Sequence, residues 1–185
     1  MKEVNYEKNI KLQNIFFPLW MLMVVPYAWV ILLPINFIWD SIAMICGLFF
    51  VNESNKFRYY IKKIWLVWII GFLSDIICSL PMLGLLYFQD FMKKGSMAEK
   101  ISEALINNPF ANPIACVIAV IMVVIAGILI YVLNLKVTFK KEEKDKAKKI
   151  SLILAVLTAP YFFVIPSYGF YMFLNKLPFL GGFFG

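Results

Sequence analysis

IFFPLWMLMVVPYAWVILLPINFIWDSIAMICGLFFV, residues 15–51, is the stretch on which the fold class turns: one charged side chain, Asp40, in 37 residues. As a single helix it would be about 55 Å long at about 1.5 Å per residue, against a bilayer core of about 30 Å. Two helices of about 18 residues fit instead. The break is expected at LLPIN, because Pro34 has no N–H to give to the preceding turn and suits a helix start. The spacing therefore predicts spans over 15–33, entered through Pro18 and kinked at Pro26, and over 34–51.

The same grammar continues along the chain. A basic loop, 52–63, carries Lys56, Arg58, Lys62 and Lys63 against Glu53. A third span is expected over 64–88 with Pro81 inside it, a fourth over 114–135, and a fifth over 150–174 broken by Pro160 and Pro166. Between the third and fourth, SMAE at Ser96–Glu99 is a capping-box pattern that puts Met97, Ile101, Ala104 and Leu105 on one face. That predicts a short amphipathic helix on the membrane surface, stopped by NNPF. The expected class is all-α: a polytopic integral membrane helix bundle of about five transmembrane helices in one domain, 1–185.

Composition agrees. Hydrophobic residues make up 62% of the 185, and mean hydropathy is +0.80, well above a soluble domain. The net charge of +7 does not imply nucleic acid, because the basic residues sit in short loops between apolar runs, where lysine sets orientation and meets anionic lipid. The expected partners are a bilayer with anionic lipids at the basic loops and a membrane-protein partner or second copy. The loop 136–149 has seven lysines against three acids. Two spans separate it from 52–63, so both loops share a side, expected to be cytoplasmic, with the N-terminus inside and the C-terminus outside. The polar start MKEVNYEKNIKLQN precedes an apolar run too long for a signal-peptide core, so it reads as an uncleaved anchor. Abundant Ile, Lys, Asn and Phe fit an AT-rich bacterial genome and a bacterial cell membrane.

Cys46, Cys78 and Cys116 are odd in number, widely spaced and inside apolar runs, which argues against disulfides or a zinc site. With no histidine in the chain, His-based triads and His-ligated metals or haem are excluded. No metal and no cofactor is expected. Ala115/Ala119 and Ala155/Ala159, each pair four apart, read as helix-packing seams, and the tryptophans as interfacial anchors.

The chemistry concentrates on Asp40 and Asp75. Each lies 11 residues from the expected inner end of its span, about 16 Å above the boundary and near mid-bilayer. Asn36, Asp40, Ala43 and Gly47 form a polar and small-residue stripe on one span; Gly71, Asp75, Cys78, Ser79 and Met82 form another. Such stripes face protein. No Lys or Arg lies inside any expected span, and an ionised carboxylate at mid-bilayer costs about 2.5–3.5 kcal/mol on insertion scales. A proton, a water-filled cavity or a bound cation must offset that cost. The candidate ion- or substrate-binding set is Asp40, Asp75, Asn36, Ser74 and Ser79. The function expected is a small transporter, or the membrane subunit of one. The alternative is a non-catalytic accessory or assembly protein whose aspartates are hydrogen-bonding glue between helices. An intramembrane aspartyl enzyme would need a Gly-x-Gly-Asp run that the chain lacks, so enzymatic activity is not the expectation.

Overall fold

The structure, a computed structural model, describes residues 29–166. Among the described residues every regular element is a helix: α1 (Trp29–Phe50), α2 (Lys56–Phe88), α3 (Met97–Asn107), α4 (Pro113–Leu133) and α5 (Lys144–Thr158), with short 3₁₀ turns and one π-helical turn between or after them. Three segments are long and apolar enough to cross a membrane: Leu32–Phe50, Lys56–Phe88 and Pro113–Thr138. The helices α1, α2, α4 and α5 form a ring in which α1 touches α2 and α5, and α4 touches the same two; α3 caps α2 and α4 at one end.

The boundaries correct several expectations. No break occurs at Pro34, which lies inside α1. It costs the helix one hydrogen bond, to the Val30 carbonyl, a loss that membrane helices tolerate when neighbours re-satisfy the backbone. Trp68 of α2 donates its indole N–H to the Leu33 carbonyl in the same turn (3.1 Å). The remainder of the first expected span, 15–28, lies outside the described residues. The loop expected over 52–63 shrinks to a tight turn, with Asn52 at φ 51°, and α2 begins at Lys56 rather than Ile64. Basic residues in its first two turns do not stop a helix, because lysine and arginine are good helix formers.

Half of the expected capping box is present, since the Ser96 N–H is given to the Lys93 carbonyl (3.0 Å) and not to Glu99. Ser96 Oγ accepts from Glu99 N (3.2 Å), and the Glu99 carboxylate reaches back to Gly95 N (2.5 Å). Of the apolar face expected to lie on the membrane, Ala104 and Leu105 are instead buried with Cys78, Met82, Ala115 and Ala119, while Met97 stays exposed. The helix closes one end of the bundle. α4 starts from Asn112, whose side chain accepts from Ile114 N (2.9 Å) and Ala115 N (3.4 Å). α5 ends at Thr158, before Pro160, with Ala159 in the extended conformation that precedes proline. The apolar part of α5 is thus shorter than a crossing, and 167–174 of the expected fifth span lie outside the described residues.

Two apolar clusters fill the bundle. One, at the end where the α1–α2 and α4–α5 turns meet, joins Met44, Leu48, Ile64, Val67, Phe139 and Leu154 among others. The other joins α2, α3 and α4 around Met82, Leu105 and Ala119. The alanine seams do their expected work: Ala115 and Ala119 are fully buried, and α5 approaches Gly127, where an added Cβ would lie 3.6 Å from the Ala155 carbonyl oxygen and 3.9 Å from Ala159 Cβ.

Candidate functional site

Asp40 and Asp75 fall between these clusters. Each is 4% exposed, in helices whose outward faces are isoleucine, leucine and tryptophan. α1 is tied to α2 by Phe37 against Trp65 and Trp68 (5.3 and 5.7 Å between centroids) and by Ser41 Oγ with the Tyr60 hydroxyl (2.8 Å). That register places Asp40 opposite Gly71, where a Cβ would lie 3.1 Å from Asp40 Oδ2 and 3.5 Å from Oδ1. It also places Asn36 opposite Asp75, within reach of the Asp75 carboxylate. Asn36 and Asp40 are four apart on α1, as are Gly71 and Asp75 on α2. The four positions form two rungs one helical turn apart, about 5.4 Å. The carboxylates face one another's helices within electrostatic reach, but Asp75 stands a turn farther from the basic end than Asp40. The early start of α2 is the reason: counted from Lys56, Asp75 is more than five turns up the helix, not three.

The remaining polar positions divide their bonds. Ser74 and Ser79 are fully buried, and each donates its hydroxyl to its own helix, to the Ile70 carbonyl (2.7 Å) and the Ile76 carbonyl (2.7 Å). Ser41 donates to the Phe37 carbonyl (2.6 Å). These serines can therefore offer only lone pairs to a ligand. Asp75 Oδ1 is buried with no hydrogen-bond partner among the described residues. A buried acceptor left unpaired costs about 1–3 kcal/mol, more when charged. The ion pairs among the described residues are Lys63–Glu142, Lys146–Glu53 and Lys146–Glu142, all at the basic end. None reaches either aspartate. The described residues hold no group of three or more His, Cys, Asp or Glu side chains fit for a metal ion. What Asp40, Asp75 and Asn36 provide is a group of oxygen acceptors between α1 and α2 with no lysine or arginine paired to it among the described residues.

A second polar cluster was not anticipated as such. Beyond α4 the chain widens into a π-helical turn, Asn134–Thr138. Asn134, fully buried, donates to the Ile130 carbonyl (3.0 Å) and accepts from Thr138 Oγ1 (2.9 Å). Lys63 Nζ donates to the Thr138 carbonyl (2.5 Å) and pairs with Glu142 (3.6 Å). Glu142 also faces Lys146 (3.6 Å), which hydrogen-bonds Glu53. That hydrogen bond, followed by the charge of Lys146, holds the Glu53 carboxyl below its ordinary value. The network joins the two basic loops and fixes them at one end of the bundle. The Glu142–Lys146 spacing of four and the lone acid in 52–63 were its visible signals.

Trp39 also departs from its expected role as an anchor. It lies mid-helix and donates its indole N–H to the Leu157 carbonyl (2.7 Å), while Tyr161 Oη donates to the Val156 carbonyl. Both satisfy the open carbonyls left where α5 stops.

Fold and site together define a helical bundle with three membrane-length apolar helices and a buried carboxylate pair. No family model, characterised protein or solved structure matches the chain.

Proposed function

We propose that the chain is a small integral membrane protein, a transporter or the membrane subunit of one, in which Asp40 and Asp75 take up and release a proton or a small cation. The observation that carries this reading is the buried Asp75 Oδ1, unpartnered among the described residues, one turn from a second buried carboxylate, with no basic group of the described residues paired to either. In a bilayer such a pair must be neutralised to stay buried. Loading and unloading the neutralising species is then the event that a transport cycle uses. Asn36 orients the Asp75 carboxylate, Gly71 leaves room for that of Asp40, and Ser74 and Ser79 add lone pairs nearby. The reading includes five crossings, the N-terminus and both basic loops inside, the C-terminus outside, and residence in a bacterial cell membrane.

The second reading, a non-catalytic accessory or assembly protein, draws its support from the approach of Asn36 to Asp75 across the two helices, the kind of polar contact interhelical glue makes. The serines do not add to it, since their hydroxyls are given to backbone carbonyls.

Proteoliposomes holding a pH-sensitive dye under a potassium diffusion potential separate the two. Alongside them, the melting midpoint of purified protein is followed with added sodium, potassium, magnesium or choline. Wild type should move protons, or gain stability with one of these cations. Asp75→Asn should lose that response while keeping expression and melting midpoint. Equal dye responses in wild type and Asp75→Asn, with no cation stabilising wild type more than the variant, would overturn the proposal.

A further inference from the structure

Several apolar grooves mark the outer surface of the described residues. One runs between α4 and α5 over Gly127 and Ala155, about 380 Å³. Another lies on α2 around Leu83 and Gly84, and a third between α1 and α2 around Trp29 and Phe72. None of these three is lined by a charged residue, and each suits any acyl chain. The fourth, about 340 Å³, is different: Ile45, Leu48 and Phe49 of α1 and Lys56, Phe57 and Tyr60 of α2 line it.

This fourth groove sits where the apolar window of α1 ends, at Phe50, and the basic turn begins. Its wall is hydrocarbon except at two positions. The Tyr60 hydroxyl is already joined to Ser41 Oγ (2.8 Å). That leaves the Lys56 ammonium at the rim, 4.7 Å from the Phe49 ring centroid. The ion pairs at this end engage Lys63 and Lys146 and do not include Lys56. Glu53, the nearest acid in sequence, is hydrogen-bonded by Lys146 and interacts with Lys56 only through space and as its weakest influence. The surrounding field is strongly positive: residues 52–63 and 136–149 hold eleven basic and four acidic side chains. Cation at the interface, hydrocarbon trough beneath it and a net positive surround are complementary to one class of ligand, a molecule with an anionic head and an apolar chain.

We infer that this groove is a binding site for an anionic glycerophospholipid, its phosphate at Lys56 and one acyl chain along Ile45, Phe49 and Phe57. The site is independent of the aspartate pair and rests only on membrane insertion with Lys56 at the interface. Tyr60 gives it a structural consequence, because the Tyr60–Ser41 hydrogen bond ties the groove to the residue next to Asp40.

The test uses the full chain in detergent with phosphatidylglycerol or phosphatidylcholine added. Melting midpoints and native mass spectra of retained lipid are the readouts. Wild type should be stabilised more by phosphatidylglycerol and keep it as an adduct. Lys56→Gln should lower apparent phosphatidylglycerol affinity about fivefold, the worth of one interfacial lysine, with phosphatidylcholine binding unchanged. Lys56→Arg should restore the preference. Lys62→Gln, an exposed lysine outside the groove, should keep it. Equal stabilisation of wild type by the two lipids would overturn the inference. So would an undiminished preference in Lys56→Gln, or a loss in Lys62→Gln as large as that in Lys56→Gln, which would mean a diffuse charge effect. Asp40 and Asp75 are intact in every variant, so this outcome and that of the proton and cation assay are read separately.

Discussion

Asp40 rests on Gly71: a methyl group at that glycine would lie 3.1 Å from Asp40 Oδ2. The contact is tighter than ordinary van der Waals separation, and the neighbour is a buried carboxyl oxygen wedged between two packed helices. Gly71→Ala should therefore displace the Asp40 carboxylate at a cost of about 1–3 kcal/mol, typical of overpacking. Gly84→Ala is the control, because nothing lies within 4 Å of a Cβ there. It should leave stability unchanged or raise it, since alanine is favoured over glycine inside a helix by about 1 kcal/mol. Melting midpoints of the two variants check the packing. If the proposed site is functional, Gly71→Ala also loses its proton or cation response, and Gly84→Ala does not.

The Asn36–Asp75 contact can be weighed against the orphaned Oδ1 by a double-mutant cycle. Interhelical hydrogen bonds in membranes average about 0.6 kcal/mol and reach about 1.7. Asn36→Ala, Asp75→Ala and the double variant should give a coupling within that range, measured by unfolding in mixed micelles. Asp75→Asn should be nearly neutral for stability, because the amide keeps the size and the contact with Asn36 while removing the charge that has to be offset. A coupling well above 2 kcal/mol, or a strongly destabilised Asp75→Asn, would favour a structural role for the pair.

Much of this architecture was visible in the chain, and the failures have definite causes. Hydropathy located the apolar helices, and Ser96–Glu99 located α3, because both signals are local. Pro34 misled because a membrane helix tolerates one absent hydrogen bond in its interior, here the one to the Val30 carbonyl. The extent of α2 was underestimated because its first two turns are basic, and charge marks where a membrane helix leaves the bilayer rather than where it ends. That error propagated to the site: the stripes and the pairing of Asp40 with Asp75 were legible from spacing, but the one-turn offset depends on where α2 begins. The role of Trp39 and the joining of Lys63 and Glu53 to the Glu142–Lys146 pair depend on contacts between distant segments; the spacing of four between Glu142 and Lys146 marks only the local pair.

Trp39→Phe keeps the ring and removes the donor to the Leu157 carbonyl (2.7 Å). The last carbonyls of a helix have no partner within it, and Pro160 offers no N–H to continue α5. Loss of this bond should cost about 0.5–1.5 kcal/mol. Hydrogen exchange should show faster opening confined to the end of α5 and its contact with α1. Unchanged exchange there would mean that water or another group serves the Leu157 carbonyl equally well.

The proposed orientation puts Lys144, the first residue of α5, on the cytoplasmic side with the rest of the basic loops. A single cysteine at position 144, with Cys46, Cys78 and Cys116 replaced, should resist a membrane-impermeant thiol reagent on intact cells and react after the cells are opened. Reaction on intact cells would invert the orientation.

The ion network at that end predicts a particular acid response. Glu53 is held below its ordinary value of 4.5, first by the hydrogen bond from Lys146 and then by that residue's charge. A carboxyl with a depressed value in the folded state binds its proton more readily when unfolded. Its contribution to stability is therefore complete above the unfolded value and is lost as pH falls from about 4.5 through the folded value. Wild type should lose melting temperature over that interval, and Glu53→Gln should show a flatter acid limb, because the amide has no proton to gain. At neutral pH the variant should be only modestly less stable, since Glu53 and Lys146 are partly exposed and salt screens such pairs. Raising the salt concentration should shrink the difference between the two proteins. Identical acid limbs in wild type and Glu53→Gln would show that the Glu53–Lys146 contact does not persist in solution, and that the two basic loops are held together by their other contacts, the Lys63–Glu142 pair, the Lys63 bond to the Thr138 carbonyl and the Tyr59–Phe139 stack.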